Sequence, residues 1–504
     1  MDSERAPRLF ARAKIMAGLM STEHFDVLIV GAGISGIGAG YHLQDKCPKR
    51  TFAILEGRNN IGGTWDLFKY PGIRSDSDMY TLGFSFRPWK ESKAIANAPA
   101  IMKYLGETAK DYGIDKKIRF NHQVKAASWD SKTARWTVDV ERGPAKEPAQ
   151  LTCNFLYMCS GYYNYAGGYR PDFPGEENFK GRIVHPQKWT DDIEYADKKV
   201  VVIGSGATAV TLVPEMAKTA GHVTMLQRSP TYVASRPAED PVANWLRKVL
   251  PAKLAYTITR WKNVLMQMYF FKICRDTPER AKELIMGQVT EALGEDYVKK
   301  HFTPRYNPWE QRLCLVPDGD MFEAIKANKA SVVTDHIEKF DETGIVLKSG
   351  ERLDADLIVT ATGLSLQFLS GVTYTVDGVL FDPTTALNYK GMMYSGLPNL
   401  ASSFGYTNAS WTLKADLTSE YVCRLLNHME AKGYAKCTPQ LTDPTMEREP
   451  WLDFSSGYVT RANDIFPKQG KVAPWKVHQN YALDIINFRF AKLEDGTMEF
   501  ARAG

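Results

Sequence analysis

The chain has few cysteines, and none of them has the spacing of a redox or zinc motif. Its 504 residues include seven cysteines, with no Cys-x-x-Cys and no cluster of cysteine with histidine. The seven stand at positions 47, 153, 159, 274, 314, 423 and 437. This pattern argues against a disulfide framework and a zinc site and favours a reducing compartment. We expect no bound metal.

Long apolar runs and a strong net charge are missing too. No stretch is long and apolar enough for a membrane span. The net charge of +5 is small against 63 basic and 58 acidic residues, so nothing indicates a nucleic-acid partner. A chain that is 44% hydrophobic and 504 residues long should fold into two or three domains. We predict a cytoplasmic protein, and its oligomeric state is not indicated.

A first nucleotide-binding motif begins near the N-terminus. An apolar strand pattern, Phe25 to Val30, runs directly into a G-x-G-x-x-G loop, made by Gly31, Gly33 and Gly36 with Ser35 between them, and then into a helix pattern. Glu56 ends the next strand, about 20 residues further on, where an acid accepts a ribose hydroxyl. We interpret this as the FAD site.

A second motif of the same kind follows in the middle of the chain. The strand Lys199 to Ile203 leads into the G-x-G-x-x-A loop Gly204, Ser205, Gly206, Ala207, Thr208 and Ala209. The next strand ends in Gln227, Arg228 and Ser229, not in an acid. A carboxylate there would repel a 2′-phosphate, whereas a guanidinium and a hydroxyl would bind it. The motif therefore predicts NADPH in preference to NADH.

The segment from Gly62 to Asp76 is interpreted as the place where the two cofactors meet. Its glycines allow close backbone approach to a flat ring, a tryptophan can cover an aromatic surface, and Pro71-Gly72 predicts a turn. Facing FAD we expect Thr64, Trp65, Asp66, Leu67 and Asp76. Facing NADP we expect Arg74, Ser75 and Asp76. The alternative from the residues alone is a surface loop with scattered charges.

The pattern as a whole predicts an α/β fold with two dinucleotide-binding, Rossmann-like domains of the glutathione-reductase/flavin-monooxygenase type and a helical insertion. The FAD domain is predicted from residues 21–165 and 366–504, the NADPH domain from 166–237 and 306–365, and the insertion from 238–305. Residues 119–124 and 127–140 are expected as two strands. Val124, which ends the first, either contacts the adenine through its backbone or has a packing role. Residues 305–315 are expected to return to the NADPH sheet.

Two regions leave alternatives open. Residues 1–20 are expected to be a disordered extension with Met20 as the natural start, and a basic presequence is the alternative. The basic and aromatic residues of the insertion fit a helical core, a cap over the substrate, or a helix that lies on a membrane surface.

The presence of two cofactors in one chain limits the kinds of reaction that the protein can catalyse. NADPH delivers hydride, which a bound flavin can accept. A disulfide reductase would need a cysteine pair beside the flavin, but residues 56–150 contain no cysteine. Dioxygen is therefore the expected acceptor, through a flavin C4a-peroxide.

Two further patterns carry a resemblance to a family. Gly62 to Asp76 fits Ala/Gly-Gly-x-Trp-x-x-x-x-Phe/Tyr-Pro-Gly/Met-x-x-x-Asp at every fixed position. Phe179 to Trp189 fits Phe-x-Gly-x-x-x-His-x-x-x-Trp, and Thr190 stands where Pro or Asp is usual. The chain resembles type I Baeyer–Villiger flavin monooxygenases and is most similar to the ethionamide-activating branch.

The resemblance implies an NADPH- and O2-dependent enzyme that converts ketones to esters or lactones and also oxidises sulfides and thioamides. It implies that Arg312 is the catalytic arginine and Asp76 its partner. Gln311 replaces the lysine that relatives often have before this arginine. His185 and Trp189 are expected to hold the domains and position NADP. The alternatives are a flavin monooxygenase that oxidises nitrogen and sulfur but not ketones, and a binding protein with vestigial cofactors.

Overall fold

The computed structural model describes residues 22–452 and 454–502, so the predicted N-terminal extension lies outside the described residues. Residues 22–165 form β1 (Glu23–Val30), α1 (Ile34–Lys46), β2 (Phe52–Leu55), α2 (Thr64–Leu67), α3 (Met79–Leu82), α4 (Ala98–Asp111), β3 (Ile118–Arg119), β4 (His122–Asp130), β5 (Arg135–Arg142) and β6 (Glu147–Met158). Residues 166–365 form β7 (Arg182–Val184), β8 (Lys199–Ile203), α5 (Ala207–Met216), β9 (His222–Gln227), β10 (Val233–Arg236), α6 (Pro241–Val249), α7 (Ala252–Asp276), α8 (Pro278–Leu293), α9 (Glu295–His301), β11 (Cys314–Pro317), α10 (Asp320–Lys326), β12 (Ala330–Thr334), β13 (Ile337–Asp341), β14 (Gly344–Leu347), β15 (Arg352–Asp354) and β16 (Leu357–Thr360). The remainder forms β17 (Thr373–Val376), β18 (Val379–Leu380), β19 (Asn388–Tyr389), β20 (Met393–Tyr394), β21 (Leu400–Ser402), α11 (Trp411–Lys432), β22 (Lys436–Pro439), β23 (Arg448–Pro450), α12 (Gly457–Thr460), β24 (Lys468–Gly470), α13 (Tyr481–Arg489) and β25 (Met498–Ala501).

The largest sheet has nine strands, in the order β18-β17-β4-β5-β6-β1-β2-β3, with β21 also paired to β6. Its centre is parallel, because β1 pairs with both β2 and β6 in that sense. Successive residues of β1 enter two different cores, Val27 and Ile29 on one face and Leu28 and Val30 on the other. Burial on both faces explains why this strand has no polar alternation in sequence.

A second sheet has five parallel strands, in the order β12-β9-β8-β16-β7. In β8, Val200 and Val202 enter one core while Val201 and Ile203 enter the other. Each sheet thus has a buried first strand followed by a glycine loop and a helix. The predicted class of fold, two Rossmann-like units with a helical insertion, is confirmed. The residue boundaries of the domains stay a prediction.

The insertion consists of α6, α7, α8 and α9, between the strands β10 and β11. α7 is the longest of them, with 25 residues. Within residues 22–452 and 454–502, no helix combines the length and the apolar character needed to cross a membrane.

The expected strand at 127–140 is wrong, because the chain reverses within it. β4 ends at Asp130 and β5 begins at Arg135, so Trp129 and Trp136 face each other across an antiparallel pair. The turn is made by the Asp130 carboxylate, which accepts from the Lys132 amide at 3.0 Å. Four consecutive polar residues, Asp130 to Thr133, interrupt the apolar alternation here and mark the turn in the sequence.

The expected return of residues 305–315 to the NADPH sheet is also wrong. β11 begins only at Cys314 and pairs with β10 in a separate two-stranded parallel sheet. This small sheet joins the two ends of the helical insertion and places the preceding loop, which carries Arg312, beside the main cavity.

Candidate active site

A cavity of about 960 Å³ lies where the strands of both sheets end. Gly31 and Glu56 reach it from the nine-stranded sheet, and Gly204 and Arg228 reach it from the five-stranded sheet. Ligands of open parallel sheets bind in this position, outside the carboxyl ends of the strands. The cavity is therefore the candidate site for both nucleotides.

The first glycine loop has the shape that a pyrophosphate needs. Gly31 has a φ of +102°, and a Cβ there would lie 2.6 Å from the Cys159 carbonyl oxygen. A Cβ on Gly36 would lie 1.8 Å from the Gly31 carbonyl oxygen, so the helix packs directly on the turn. Gly33 borders the cavity and faces Gly63, and Ser35 also lines it. Side chains are excluded at the positions where backbone N–H groups must approach a phosphate.

Glu56 stands at the end of β2 in the position expected for a ribose acceptor. Its carboxylate accepts from the Ala32 amide at 2.8 Å and from the Arg58 amide at 3.0 Å. Burial raises the pKa of Glu56, and these two hydrogen bonds offset only part of that effect. Each carboxylate oxygen keeps a further lone pair for a hydroxyl donor in the cavity.

The segment from Gly62 to Asp76 borders the cavity with some of its side chains and supports the loop with others. Thr64 and Trp65 line the cavity, as Val124 does from β4. Asp66 is buried and binds Arg58 at 2.5 Å, and neither Asp66 nor Leu67 lines the cavity. Asp66 therefore anchors the loop through its carboxylate, and the Leu67 side chain is not part of the cavity wall.

The predicted turn at Pro71-Gly72 joins the segment to the second nucleotide helix. The Ile73 amide donates to the Tyr70 carbonyl at 3.3 Å, and Gly72 has a φ of +74°. A Cβ on Gly72 would lie 2.7 Å from the Cβ of Glu215, a residue of α5. The segment thus contacts both halves of the protein.

Two predicted NADP residues follow this turn, and both line the cavity. Arg74 forms two hydrogen bonds to the Asp320 carboxylate, one of them at 3.3 Å. Ser75 is buried, and its hydroxyl accepts from the Ser77 amide at 3.0 Å. The guanidinium of Arg74 is therefore already neutralised by a partner.

Asp76 and Arg312, which are far apart in sequence, face each other in the cavity. The Arg312 Nη2 lies 3.5 Å from the Asp76 Oδ2, and both residues line the cavity wall. Burial raises the pKa of Asp76, while Arg312 and Arg74 offset part of the shift. Burial acts against the charge of Arg312, but the facing carboxylate and the neighbouring tyrosines 458, 163 and 162 together outweigh it, and the pKa of Arg312 rises. The site thus contains a fixed positive charge with an orienting partner.

The second glycine loop is built like the first but is more open. Gly204 has a φ of +135°, and a Cβ there would lie 2.3 Å from the Ala361 carbonyl oxygen. Around Gly206 an added Cβ would meet no heavy atom within 4 Å. Ser205, Ala207 and Thr208 also line the cavity, whereas Ala209 is fully buried in the adjacent core. The loop leaves room for a phosphate beside the start of α5.

Of the three predicted NADP residues at the end of β9, one has a structural role and two are exposed. The Gln227 side chain donates to the His301 carbonyl at 2.7 Å and to Thr334 at 2.9 Å, and it does not line the cavity. Arg228 and Ser229 are exposed and line the cavity. Within the described chain, the Arg228 guanidinium has no hydrogen-bonded or ion-paired partner. It is therefore available to an anionic ligand.

Sequence reasoning missed Lys348, which lines the same cavity as Arg228. The Asp335 amide donates to the Gln227 carbonyl at 3.0 Å, and the Lys348 amide donates to the His336 carbonyl at 2.9 Å. These backbone contacts bring the start of the β14–β15 turn to the end of β9. A lysine in a hairpin turn has no local pattern that marks it as a ligand residue, so this neighbour could not be identified from the sequence.

His185 and Trp189 do not line the cavity. The His185 Nδ1 accepts from the Gln187 amide at 3.2 Å, so its Nε2 donates to the Gly363 carbonyl at 3.2 Å. Burial lowers the pKa of His185, which favours the neutral ring. Their expected role in holding the domains stays a prediction.

Comparison with known proteins identifies the class of enzyme. A family model described as flavin-binding monooxygenase-like matches residues 26–370. The FAD-containing monooxygenase EthA of Mycobacterium tuberculosis is 54% identical over 483 residues, which cover 95% of this chain and 98% of that protein. The probable FAD-binding monooxygenase AlmA of Acinetobacter baylyi is 50% identical over 481 residues, which cover 95% and 96%.

Solved structures agree with the fold. A steroid monooxygenase bound to NADP has a TM-score of 0.77 at 22% identity and covers 95% of this chain and 100% of its own. An open structure of cyclohexanone monooxygenase has a TM-score of 0.72 at 18% identity with the same coverage. The prediction of FAD and NADPH as cofactors is confirmed at the level of the family and its fold. Because a family model matches more than half of its length and relatives at least 50% identical cover 95% of it, the chain belongs to the flavin-binding monooxygenase-like family.

Proposed function

We propose that the protein is an FAD- and NADPH-dependent Baeyer–Villiger monooxygenase. A ketone, O2, NADPH and a proton give an ester or lactone, water and NADP+. Sulfides and thioamides are further proposed substrates. The observation that carries the proposal is the Arg312–Asp76 pair, with its nitrogen and oxygen 3.5 Å apart on the wall of a cavity that two glycine loops share.

The residues of the cavity fit both cofactors. Gly31, Gly33, Ser35 and the start of α1 would hold the FAD pyrophosphate, Glu56 its ribose, and Val124 its adenine. Thr64, Trp65 and Asp76 would border the flavin end, with Gly36, Asp66 and Leu67 supporting the loops. Bound together, the cofactors supply hydride transfer and the activation of dioxygen.

The second glycine loop, from Gly204 to Thr208, would hold the NADPH pyrophosphate at the start of α5. Ala209 would anchor this loop in the core, and Gln227 would anchor the end of β9. Arg228, Ser229 and Lys348 would bind the 2′-phosphate. Two cations near one phosphate would take over the task that a lysine at the position of Gln311 performs in relatives. Arg74 and Ser75 would border the nicotinamide end.

Arg312 supplies positive charge where the reaction develops negative charge. A guanidinium held in a cavity stabilises an oxyanion far more than the same group does in bulk water, because it needs no reorganisation. Asp76 fixes the direction of this guanidinium. Both roles depend on the charge of Arg312, which persists over the ordinary pH range because a guanidinium does not lose its proton.

A disulfide reductase is disfavoured by the cysteines of the cavity. Cys159 and Cys314 both line it and are free thiols. Burial raises the pKa of Cys159 far above its ordinary value and that of Cys314 to about 12. Neither thiol supplies the thiolate that disulfide exchange requires.

The test is product analysis with a panel of ketones and one sulfide. We expect Arg312→Ala to bind both cofactors and oxidise NADPH but to form ester about 10²–10³-fold more slowly. Arg305→Ala, on the same loop but outside the cavity lining, is the matched control and should keep the normal rate. Sulfoxide formation by the wild type without ester from any ketone would replace the proposal with a nitrogen- and sulfur-oxidising monooxygenase.

A further inference from the structure

α7 carries a continuous row of large apolar side chains on its outer face. Leu254, Ile258, Trp261, Leu265 and Tyr269 follow one another at intervals of three or four residues. Between 41% and 62% of the surface of each is exposed. A helix of 25 residues would be about 37 Å long. The row is therefore not a few scattered residues but one apolar face.

Two other helices present apolar rows of the same kind. α6 precedes α7 directly, and the Trp261 and Tyr481 rings, 5.9 Å apart, join α7 to α13. The rows consist of Val242, Trp245 and Val249 on α6 and of Leu483, Ile486 and Phe490 on and just after α13, each 44–74% exposed. We call these two rows and the row of α7 the helical face. Exposed apolar patches of this extent mark interaction sites.

The charged residues of α6 and of α7 up to Arg275 have one sign. From Pro241 to Arg275 the sequence contains seven lysines and arginines and no aspartate or glutamate. Lys248 and Lys253 are exposed, and neither side chain has a partner among residues 22–452 and 454–502. A second copy of this chain would bring like charges together, whereas an anionic surface would pair with them.

We propose that the helical face binds the surface of a bilayer that contains anionic lipids. Trp245, Trp261 and Tyr269 have the amphipathic rings that lie at the level of lipid headgroups, and the leucines and valines reach into the acyl boundary. The helices then lie in the interface plane. This is the binding mode of an amphipathic helix with a basic border.

The inner side of α7 lies next to residues that line the cavity. Val264 and Met268 line a narrow crevice together with Tyr406, Ala409 and Tyr481. Tyr406 and Ala409 also line the main cavity. If the proposed function holds, on which this step rests, apolar ketones dissolved in the lipid would reach the site here once the side chains that enclose the crevice, about 10 Å³ in volume, move apart.

The helical face is held firmly to the domain that carries the cavity. The Arg260 Nη1, on the inner side of α7, donates to the Tyr80 and Gly83 carbonyls, each at 2.8 Å. Its Nη2 lies 3.7 Å from the Asp416 carboxylate of α11. Docking would therefore orient the whole protein and not the insertion alone.

The experiment is co-sedimentation of the holoenzyme with vesicles of phosphatidylcholine, with or without phosphatidylglycerol. We expect binding to the anionic vesicles and at least about tenfold weaker binding to phosphatidylcholine alone. Replacement of Trp245, Leu254 and Leu265 by serine together should weaken binding about tenfold or more, as should Lys248→Glu with Lys253→Glu. The matched control is Val379→Ser with Leu380→Ser, because these side chains are 70% and 66% exposed on β18, outside the helical face.

Absence of binding, equal binding to both kinds of vesicle, or equal loss in the β18 control would overturn the proposal. So would a dimer in solution that the triple serine variant dissociates while vesicle binding stays absent. NADPH oxidation with a small water-soluble ketone should be the same in the wild type and the triple variant. Failure of that activity in both would count against the proposed reaction and leave the vesicle result to decide on docking.

Discussion

Removal of the Arg228 side chain should change which nicotinamide cofactor the enzyme prefers. Arg228 follows β9, lines the cavity and is exposed. Throughout the described residues it has no competing carboxylate, so its charge is available to the 2′-phosphate that distinguishes NADPH from NADH. Arg228→Ala removes this charge without breaking a hydrogen bond or an ion pair among residues 22–452 and 454–502.

The size of the effect follows from the kind of contact. A hydrogen bond to a charged group contributes about 1.5–3 kcal/mol, and about 1.4 kcal/mol is a factor of ten. Because water screens an exposed guanidinium, we take the lower limit. We expect kcat/KM for NADPH to fall about tenfold and that for NADH to change less than twofold. The combination with Lys348→Ala should lower the value for NADPH further, and added salt should reduce the difference between wild type and variant.

The assay is the initial rate of substrate-stimulated NADPH and NADH oxidation. Lys180→Ala is the matched control, because Lys180 is exposed but does not line the cavity. An equal loss with both cofactors would refute the assigned contact. An unchanged value for NADPH in the double variant would show that the 2′-phosphate binds elsewhere.

Two other predictions concern the loop and the core. Gly206→Ala should leave the melting temperature unchanged but raise KM for NADPH about tenfold. Gly204→Ala should lower the melting temperature, because Gly204 has a φ of +135°. Equal changes of melting temperature in the two variants would contradict this contrast. Burial acts to raise the pKa of Asp416, but His42 and Arg260 outweigh it, so the pKa is lowered on folding. The ionised carboxylate therefore stabilises the fold above about pH 4, and this contribution is lost as the pH falls through the folded-state pKa. Asp416→Asn should lower the free energy of unfolding by about 3 kcal/mol at neutral pH and by less in acid. Thermal unfolding over a pH series can check this. A difference in stability between wild type and variant that does not depend on pH would contradict the ion-pair explanation.

Local patterns predicted the parts of the fold that local physics determines. The strand, glycine loop and helix at residues 25–44 and 199–217 are set by backbone conformation and by burial on both sheet faces, and both are visible in a short stretch of sequence. Arg312 was identified through a family resemblance. Its place beside Asp76 depends on the pairing of β10 with β11, which no local pattern indicates.

The features that could not be predicted depend on distant contacts. Lys348 reaches the cavity through strand pairing around Gln227, and Gln227 itself turns toward His301 and not toward the cofactor site. In both cases tertiary pairing decided the outcome, and a single sequence does not reveal it. The turn between Trp129 and Trp136 is different, because its polar run from Asp130 to Thr133 is visible in the sequence although it contains no glycine or proline.

The central claim is that the two nucleotide sites and Arg312 together insert one atom of dioxygen into an organic substrate. The most direct measurement supplies the purified holoenzyme with NADPH, a ketone and isotopically labelled O2, and analyses the product by mass spectrometry. We predict an ester with one labelled oxygen atom for each NADPH consumed. Consumption of NADPH that yields hydrogen peroxide, with no labelled ester or sulfoxide from any substrate, would contradict the claim.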